Sequence, residues 1–545
     1  MRRYEMRDLA AAPRFANPDV DLGNPALVSP RPAVCDLTVL DTADRRLLRA
    51  GIVLAHRATD GVGEWLMAAP GWAPQLSAEY VEAMTSGEVP ERIRTLLAPF
   101  LRHAGLVPVG TQHRTRTTYL IRTAEREPVG SLIDDVFAVR RDGTLVTRYR
   151  EVDIDTGSMS REQVDWLDEA LHGVGAVRVD RHLCLPDRLR VLIEEVAGED
   201  PAAVGPVDLA AEGAVGADAS MADIVARFVA QGTRQVLLAD LNVRSGRTRK
   251  VQPLVRGLRA FAAELPVLAP VLPAGDLDDL VAALGAAADR LDGAFGEDQQ
   301  ELLNGDDYLG IFEWTSALGR PTLAEGIGRR PAREEIAEMV AGATRVMLAT
   351  GEAAPQVADD SGWHAAALAA DRLVSTAEVA SLLAPKQARK LRDRARDLYD
   401  ELVGCDNEEL EALRASLEGA SVEQAFGIGR QYADLAESRT AARTGFVEHW
   451  HKAGRKLRRA GAELLDRLGA GDVDMSGPGA AEARTSEPGA AEANMSEPGA
   501  SEPGAAEGTP GTGTAEDAPA TGTAEDNPEP GTSPAGTDGG GTADE

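Results

Sequence analysis

Apolar and polar positions alternate through the first part of the chain, a pattern that is typical of β-strands. The clearest case is the stretch 145–154, where Arg148 and Arg150 share one face of a strand and Glu151 and Asp153 share the other. Further candidate strands cover 3–9, 34–40, 52–56, 65–67, 115–121, 131–140 and 175–179. Helical spacing occurs at 43–49, 90–98 and 160–171, so the pattern predicts a mixed α+β domain over 1–195.

A different periodicity begins near residue 221, where apolar residues recur at intervals of three and four. Leu277, Leu280, Leu284 and Leu291 are one example. The pattern predicts an all-α domain over 221–468, built from successive antiparallel helical hairpins. The preceding stretch, 196–220, is rich in Gly, Ala and Pro without apolar periodicity, which is typical of a linker.

The C-terminal stretch 469–545 repeats Ser-Glu-Pro-Gly-Ala and then drifts into Gly, Thr, Ala and Asp. It has almost nothing to bury against the entropic cost of ordering, so we expect a disordered acidic tail. From 471 onward the chain carries sixteen acids against the single base Arg484, which is about half of the net charge of −31. The net charge of the whole chain therefore overstates the negative charge of its folded surface.

Composition restricts the function classes. A net charge of −31 disfavours nucleic acid and anionic membrane as partners, because both attract basic surfaces. No run approaches the roughly 18 apolar residues of a membrane helix, and Met1-Arg2-Arg3 is not followed by an apolar signal segment. We therefore expect a cytoplasmic protein. Three scattered cysteines fit neither a disulfide framework nor a zinc site.

The stretch 40–57 predicts a strand, a helical turn and a second strand. Its residues resemble the DTPxxxLxxxGxxLRxR motif of the CYTH (triphosphate tunnel metalloenzyme) family, matching it in order and spacing at Asp41, Thr42, Leu47, Gly51, Leu54 and Arg57. Three later segments resemble further strands of that family: 114–117 a basic strand, 134–136 a DDxV strand, and 150–154 an acidic ExE strand. The resemblance spans nearly all of 1–195.

This resemblance implies an antiparallel eight-stranded β-tunnel in which arginines bind a triphosphate and carboxylates hold Mg²⁺ or Mn²⁺. The phosphate-binding residues that it implies are Arg7, Arg57, Arg114, Arg116 and Arg150. The implied metal ligands are Glu5, Glu151 and Asp153, of which Glu151 and Asp153 are also the catalytic residues. Strict alternation places Arg150 on the face opposite Glu151, so only one of the two lines a tunnel unless a bulge intervenes.

Departures from the family pattern weaken the implied metal site more than the implied phosphate site. Arg3 replaces the first acid of the N-terminal ExExK signature, Ser131 replaces a strand glutamate, and Met67 replaces a lysine. Ala43 and Ala55 replace a proline and an arginine of the opening motif. Most of the arginines remain, so phosphate binding is better supported than catalysis.

The segment 388–398 resembles a basic helix of CHAD, a helical polyphosphate-binding domain that often follows CYTH. On a helix, Arg389, Arg392 and Arg396 are spaced to contact successive phosphates. A solvated face with Asp393 and Asp397 as local partners explains the same charges equally well. A second basic run at 452–459 favours an anion groove between two helices.

Three functions stay open at this point. The first is binding of inorganic polyphosphate or a triphosphate compound, with metal-dependent hydrolysis in the tunnel. The second is a catalytically inactive scaffold that associates with polyphosphate, and the third is a protein-interaction module without a phosphate role. The sequence decides neither the substrate nor the oligomeric state.

Overall fold

The computed structural model describes residues 1–10, 15–193, 215–216, 218–273, 275, 277–319, 321–328, 330–357 and 361–470. Within these ranges an antiparallel β-sheet is followed by a helical region, as the change of periodicity predicts. The predicted linker, 196–220, falls largely outside the described residues, and the predicted tail lies outside them from residue 471 onward.

One antiparallel sheet of ten strands forms the first region, so the expectation of eight strands is wrong. The strands are β1 (Arg2–Met6), β2 (Ala26–Leu27), β3 (Ala33–Asp41), β4 (Val53–Thr59), β5 (Val62–Ala68), β6 (Glu79–Ala83), β7 (Val107–Arg122), β8 (Pro128–Arg141), β9 (Thr144–Asp155) and β10 (Val177–Val179). The two additional strands are β2, which is too short to show alternation, and β6, an edge strand with few apolar residues.

The strands follow the order β10-β1-β9-β8-β7-β3-β4-β5-β6, and β2 pairs with the distal end of β7. Among the described residues, β10 pairs with β1 and β6 pairs with β5, but no ladder joins β10 to β6. Within the described residues, hydrogen bonding between strands therefore leaves β6 and β10 as the two edges of the sheet.

One face of the sheet is covered by a short segment that follows β10. This cover segment, residues 185–193, contains helix α4 (Leu185–Leu189) and a 3-10 turn (Arg190–Leu192). Leu189 and Leu192 are fully buried against inward-pointing residues of β3, β4, β5 and β8. A Cβ at Gly110 of β7 would come within 2.7 Å of Leu192, so this strand needs a glycine for the close approach. We call the covered side the inner face.

The opposite, outer face packs on helices. Near β1, β8 and β9 it contacts α3 (Arg161–Gly173), whose N-terminus has the predicted capping box between Ser160 and Gln163. Near β4 and β5 it contacts α1 (Arg46–Arg49) and α2 (Glu91–Leu101). Helix α1 is a single turn, shorter than the predicted 43–49.

The helical region contains α5 (Met221–Arg244), α6 (Gln252–Glu264), α7 (Asp278–Leu291), α8 (Gly296–Asn304), α9 (Asp306–Ala317), α10 (Ala332–Ala353), α11 (Ser361–Ser381), α12 (Pro385–Val403), α13 (Glu408–Ala415) and α14 (Val422–Leu468). The described helices include none that combines the length and the apolar content needed to cross a membrane.

The sheet region and the helical region share one hydrophobic core. Leu47, Trp72 and Phe100 of the first region belong to the same buried cluster as apolar residues of α5 to α12 and of α14. Arg244, at the end of α5, joins the two regions by hydrogen bonds. Its guanidinium pairs with Asp240 at 2.7 Å and donates to the backbone oxygens of Thr95 in α2 and Leu303 in α8.

Candidate functional site

Four charged side chains form a row across neighbouring strands of the inner face. The strand register places Arg116 of β7 opposite Asp135 of β8, Asp135 opposite Glu151 of β9, and Glu151 opposite Glu5 of β1. Side chains at such positions lie on the same face and are in reach of one another. The structure thus brings two of the three predicted metal ligands, Glu5 and Glu151, together with a predicted phosphate ligand.

Arg188 of the cover segment bridges the two glutamates. Its Nη2 lies 2.9 Å from Oε1 of Glu151 and also contacts Glu5, while its Nε donates to Glu151 at 3.1 Å. The guanidinium stacks 4.4 Å above the ring centroid of Tyr149, which is itself stacked on Phe137. The Arg188 side chain is only 13% exposed, so a largely buried cation stands between the carboxylates.

His182 and Asp153 complete the cluster. His182 Nε2 lies 3.2 Å from Oδ1 of Asp153, and Arg3 approaches the same carboxylate oxygen at 3.6 Å. The other ring nitrogen of His182, Nδ1, is buried and finds no hydrogen-bond partner in the described part of the chain. Ligand atoms of His182, Glu5 and Glu151 all lie within 4.8 Å of one another. Asp153, the third predicted metal ligand, stands beside this group.

The local environment raises the pKa of two inner-face groups. Burial is the main cause of the raised pKa of Glu151; His182 and Arg188 oppose the shift, and Glu5 adds to it. Burial also raises the pKa of Tyr149, with the charge of Glu151 contributing. Burial of Glu151 and Tyr149 reduces solvent screening around them, which strengthens the ion pair between Glu151 and Arg188.

The predicted phosphate-binding arginines of the sheet differ in their surroundings. Arg116 forms two hydrogen bonds with Asp135, at 2.9 and 2.6 Å. Arg57 is held by Glu64 and Glu79 at 2.9 and 3.1 Å. Both side chains lie on the inner face with their charge already compensated.

Arg114 is different, because it is half-buried on the inner face and has no ion-pair partner among the described residues. Its strand register places it beside Phe137, and its charge lowers the pKa of nearby Tyr149. Arg7 follows the end of β1 and is exposed. Of the five arginines predicted in the sheet region, Arg114 is the one best placed to accept an anion on the inner face.

Arg150 lies on the outer face, as strict alternation predicts. Its guanidinium pairs twice with Asp134, at 2.7 and 2.6 Å, and donates to the backbone oxygen of Ala10 at 2.7 Å. This buried pair lies on the face of β8 and β9 opposite to Glu151. The structure therefore separates Arg150 from the other predicted site residues.

The three arginines predicted on α12 do not form one free anion-binding stripe. Arg392 pairs with Glu378 of α11 at 2.9 Å, and Arg396 lies 5.9 Å from the ring centroid of Tyr399, whereas Arg389 is exposed. A different basic surface lies between α12 and α14, where Glu463 accepts hydrogen bonds from Lys390 at 2.6 Å and Arg459 at 3.0 Å.

Two residues of the cluster were missed by the sequence reasoning. His182 and Arg188 lie after the last predicted strand, in a stretch without strand alternation or helical periodicity. The available signal was the short segment Cys184-Leu185-Pro186-Asp187, where a proline at the first helical turn marks a helix start. Only the tertiary structure shows that this helix returns to the sheet.

Comparison with known proteins adds little beyond this geometry. No family model matches the chain, and no curated protein matches it. Structural matches cover only its N-terminal part, so nothing supports the CHAD resemblance. They include protein PH1819 of Pyrococcus horikoshii, with 14% identity over 36% of this chain and 99% of that chain at a TM-score of 0.19.

Two other matches are each described as a "putative adenylate cyclase". The Bacillus halodurans protein is 14% identical over 28% of this chain and 80% of its own, at a TM-score of 0.16. The Vibrio parahaemolyticus protein is 13% identical over 34% of this chain and 96% of its own, at a TM-score of 0.18. With TM-scores this low, the matches carry no argument about function.

Proposed function

We propose that this protein binds a triphosphate or inorganic polyphosphate on the inner face of the sheet. The observation that carries the proposal is Arg114, a half-buried guanidinium without an ion-pair partner in the described part of the chain. A half-buried guanidinium is less well solvated than an exposed one, so its pairing with an anion is more favourable. A phosphate oxygen matches the planar donor geometry of arginine better than chloride does.

The charge balance around Arg114 explains why a divalent cation would assist such binding. Among the described residues, arginines and acids are interspersed around this site: Arg3, Arg57, Arg114, Arg116 and Arg188 lie among Glu5, Glu64, Glu79, Asp135, Glu151 and Asp153. A polyanion entering this nearly neutral site meets carboxylates as well as arginines. We therefore expect its affinity to rise when a divalent cation compensates the acids.

The residues present fit such a cation. Glu5 and Glu151 supply hard oxygen ligands, and the imidazole of His182 lies within reach of both. A bound Mg²⁺ or Mn²⁺ would supply Lewis acidity to a phosphate oxygen. The chain itself would contribute Arg114 and Arg116 to orient the phosphates.

A second candidate function is a phosphate-binding scaffold without hydrolysis. The observation that favours it is Arg188, which already pairs with the two carboxylates that hydrolysis would require for a cation. Binding through Arg114 does not depend on those carboxylates. Binding and hydrolysis are therefore separate properties of the same face and need separate assays.

Calorimetric titration with tripolyphosphate, with and without Mn²⁺, tests the binding proposal. We expect Arg114→Met to weaken binding at least tenfold, because the variant keeps the packing of the aliphatic stem and loses the charge. Arg148→Met is the matched control: Arg148 lies on the outer face of β9, 3.9 Å from Asp8, and its loss should leave affinity unchanged.

Equal affinities for the wild type and Arg114→Met would refute the assigned site. If neither tripolyphosphate nor long polyphosphate binds the wild type at low salt, the proposed phosphate binding is refuted. The protein-interaction module without a phosphate role is then the alternative that stands. Phosphate release from tripolyphosphate, measured at high protein concentration with Mn²⁺, separates the enzyme from the scaffold.

A further inference from the structure

The first half of the long helix α14 is exposed to solvent. From 422 to 445 none of its residues is buried, whereas Phe446 begins a series of buried positions that continues to Leu468. At 1.5 Å per residue this exposed part is about 36 Å long. Near its end it touches the chain that follows α12, where Arg443 donates to the backbone oxygen of Cys405 at 2.9 Å. We call residues 422–445 the arm.

A stripe of apolar and small side chains runs along one side of the arm. Its members recur at intervals of three and four residues, which places them on one face of a helix. They are Val422, Phe426, Gly429, Ala433, Ala436 and Thr440, and we call them the open stripe. Val422 is 91% exposed and Phe426 is 76% exposed, so large apolar side chains face solvent here. An exposed apolar face of this kind is typical of a surface that contacts another protein.

Gly429 lies in the middle of the open stripe and has no packing role within the described part of the chain. A Cβ at this position would meet no atom within 4 Å. A glycine inside a helix is unfavourable relative to alanine, because it loses more backbone freedom on folding. With Ala433 and Ala436, Gly429 leaves a shallow surface, and the distance between packed helices depends on the side chains at their contact. The centre of the stripe therefore favours the close approach of a second helix.

The charges beside the open stripe are self-complementary in an antiparallel pair of arms. Arg430 and Glu437 lie two helical turns apart along the same edge of the stripe, and neither forms an ion pair within the described residues. A twofold axis between residues 433 and 434 places Arg430 of each copy opposite Glu437 of the other. The same axis brings Phe426 of each copy towards Thr440 of the other and leaves the small residues at the centre.

We propose that two copies of this chain associate through their open stripes, in antiparallel orientation about this twofold axis. The same patch is used on each copy, so the contact closes at two chains and leaves no free stripe. The small central residues allow the two helices to approach closely, and Phe426 supplies apolar contact on either side of the axis. The two pairs between Arg430 and Glu437 fix the register of the helices. This inference is independent of the proposed phosphate binding.

Sedimentation equilibrium of the full chain, over a hundredfold range of concentration and without any phosphate compound, tests the association. We expect a reversible equilibrium between monomer and dimer for the wild type. Gly429→Gln should weaken the dimer at least tenfold, because the added side chain has open space in the monomer and fills the contact in the dimer.

Gly427→Gln is the matched control. Gly427 is equally open but lies on a different side of the same helix, so its replacement should leave the dimer affinity unchanged within about twofold. Both variants replace a helical glycine by a better helix former, so both should keep the native circular dichroism spectrum. Any difference between them therefore reports the contact and not the stability of the helix.

Charge exchange tests the register. Arg430→Glu and Glu437→Arg should each weaken the dimer at least fivefold at low salt, because each variant places like charges opposite one another. The double variant that carries both substitutions restores opposite charges and should recover most of the affinity. Such recovery shows that the two positions are coupled, although they lie two turns apart within one helix.

A wild type that stays monomeric over the whole concentration range would overturn the inference, and the open stripe would then need a different protein as its partner. A dimer that Gly429→Gln and Gly427→Gln affect equally would show that the contact lies elsewhere on the chain. If Gly429→Gln does not fold, the presence or absence of recovery in the double charge variant decides alone. Calorimetry with tripolyphosphate tests the proposed function separately, so either idea can fail without the other.

Discussion

Replacing Arg244 would test the claim that the sheet region and the helical region share one core. Arg244 is buried at the junction and pairs with fully buried Asp240 at 2.7 Å. It also donates to Asn304 Oδ1 at 2.7 Å, to the Leu303 oxygen at 2.5 Å and to the Thr95 oxygen at 3.3 Å. Tyr308 also interacts with Asp240, but its hydroxyl carries no positive charge that could replace that of Arg244.

Arg244→Met leaves the Asp240 carboxylate buried without its partner, a loss that costs about 3–5 kcal/mol. The cost is a large part of the roughly 5–15 kcal/mol by which folded domains exceed the unfolded state. We expect urea unfolding, followed by circular dichroism and tryptophan fluorescence, to shift by that amount. Both signals should keep one coincident transition, because the core is continuous. Arg247→Ala, at an exposed position in the same chain segment, is the control and should change the free energy of unfolding little.

The loss of stability in Arg244→Met should depend on pH in a predictable direction. Burial raises the pKa of Asp240, and Arg244 opposes the shift, so removing Arg244 raises the pKa further. The folded variant then holds a proton that the unfolded chain releases, and its stability falls as pH rises through the folded-state pKa. The deficit of Arg244→Met should therefore be larger at pH 8 than at pH 5, and Asp240→Asn in the same chain should recover part of it. A deficit that is the same at both pH values and insensitive to Asp240→Asn would refute the reasoning.

Three further predictions concern single residues. Asp41 is buried and accepts hydrogen bonds from the backbone nitrogens of Thr42, Leu47 and Leu48, so Asp41→Asn places an amide donor against a backbone donor and should cost about 1–3 kcal/mol in thermal unfolding. Burial raises the pKa of Asp41 to about 6, so the folded wild type loses stability as pH rises from 4 to 7 and this carboxyl ionises. The stability advantage of the wild type over Asp41→Asn should therefore decrease over that range. An increase would contradict the cause assigned to the pKa shift. Arg150→Met should lower the unfolding midpoint strongly, because it leaves the buried carboxylate of Asp134 without its partner. The folded variant should keep its tripolyphosphate affinity within about twofold. A tenfold loss of affinity would instead place Arg150 in the binding site. Glu463→Gln removes the charge that pairs with Lys390 and Arg459. The affinity for long polyphosphate should therefore rise at low salt and fall more steeply with added salt. An unchanged affinity would exclude the surface between α12 and α14 as an anion contact.

The local sequence predicted much of the fold. Alternation over 145–154 correctly separated Arg150 from Glu151, and the Ser160 and Gln163 pair correctly marked the start of α3. These features depend on residues close in sequence, where strand period and capping chemistry decide the outcome. The strand count was wrong because β2 has two residues and β6 lies at a polar edge, where the pattern of apolar positions is weak.

The candidate site was predicted only in part, because its partners come from distant parts of the chain. Glu5 and Glu151 were implied as site residues by the family resemblance, but Arg188 is 183 residues from Glu5 and has no local signal for its position. Asp41 of the opening motif also proved to cap α1 from a buried position, and the strand register does not bring it into the row of inner-face charges.

By itself, the sequence determined most of the strands and helices and which side chains share a face, because backbone periodicity controls both. Only the tertiary structure decided which charges compensate one another. Packing of the cover segment placed Arg188 between two carboxylates and left Arg114 without a partner among the described residues. Ion pairing depends on distances between elements far apart in sequence, and those distances exist only after the core has formed.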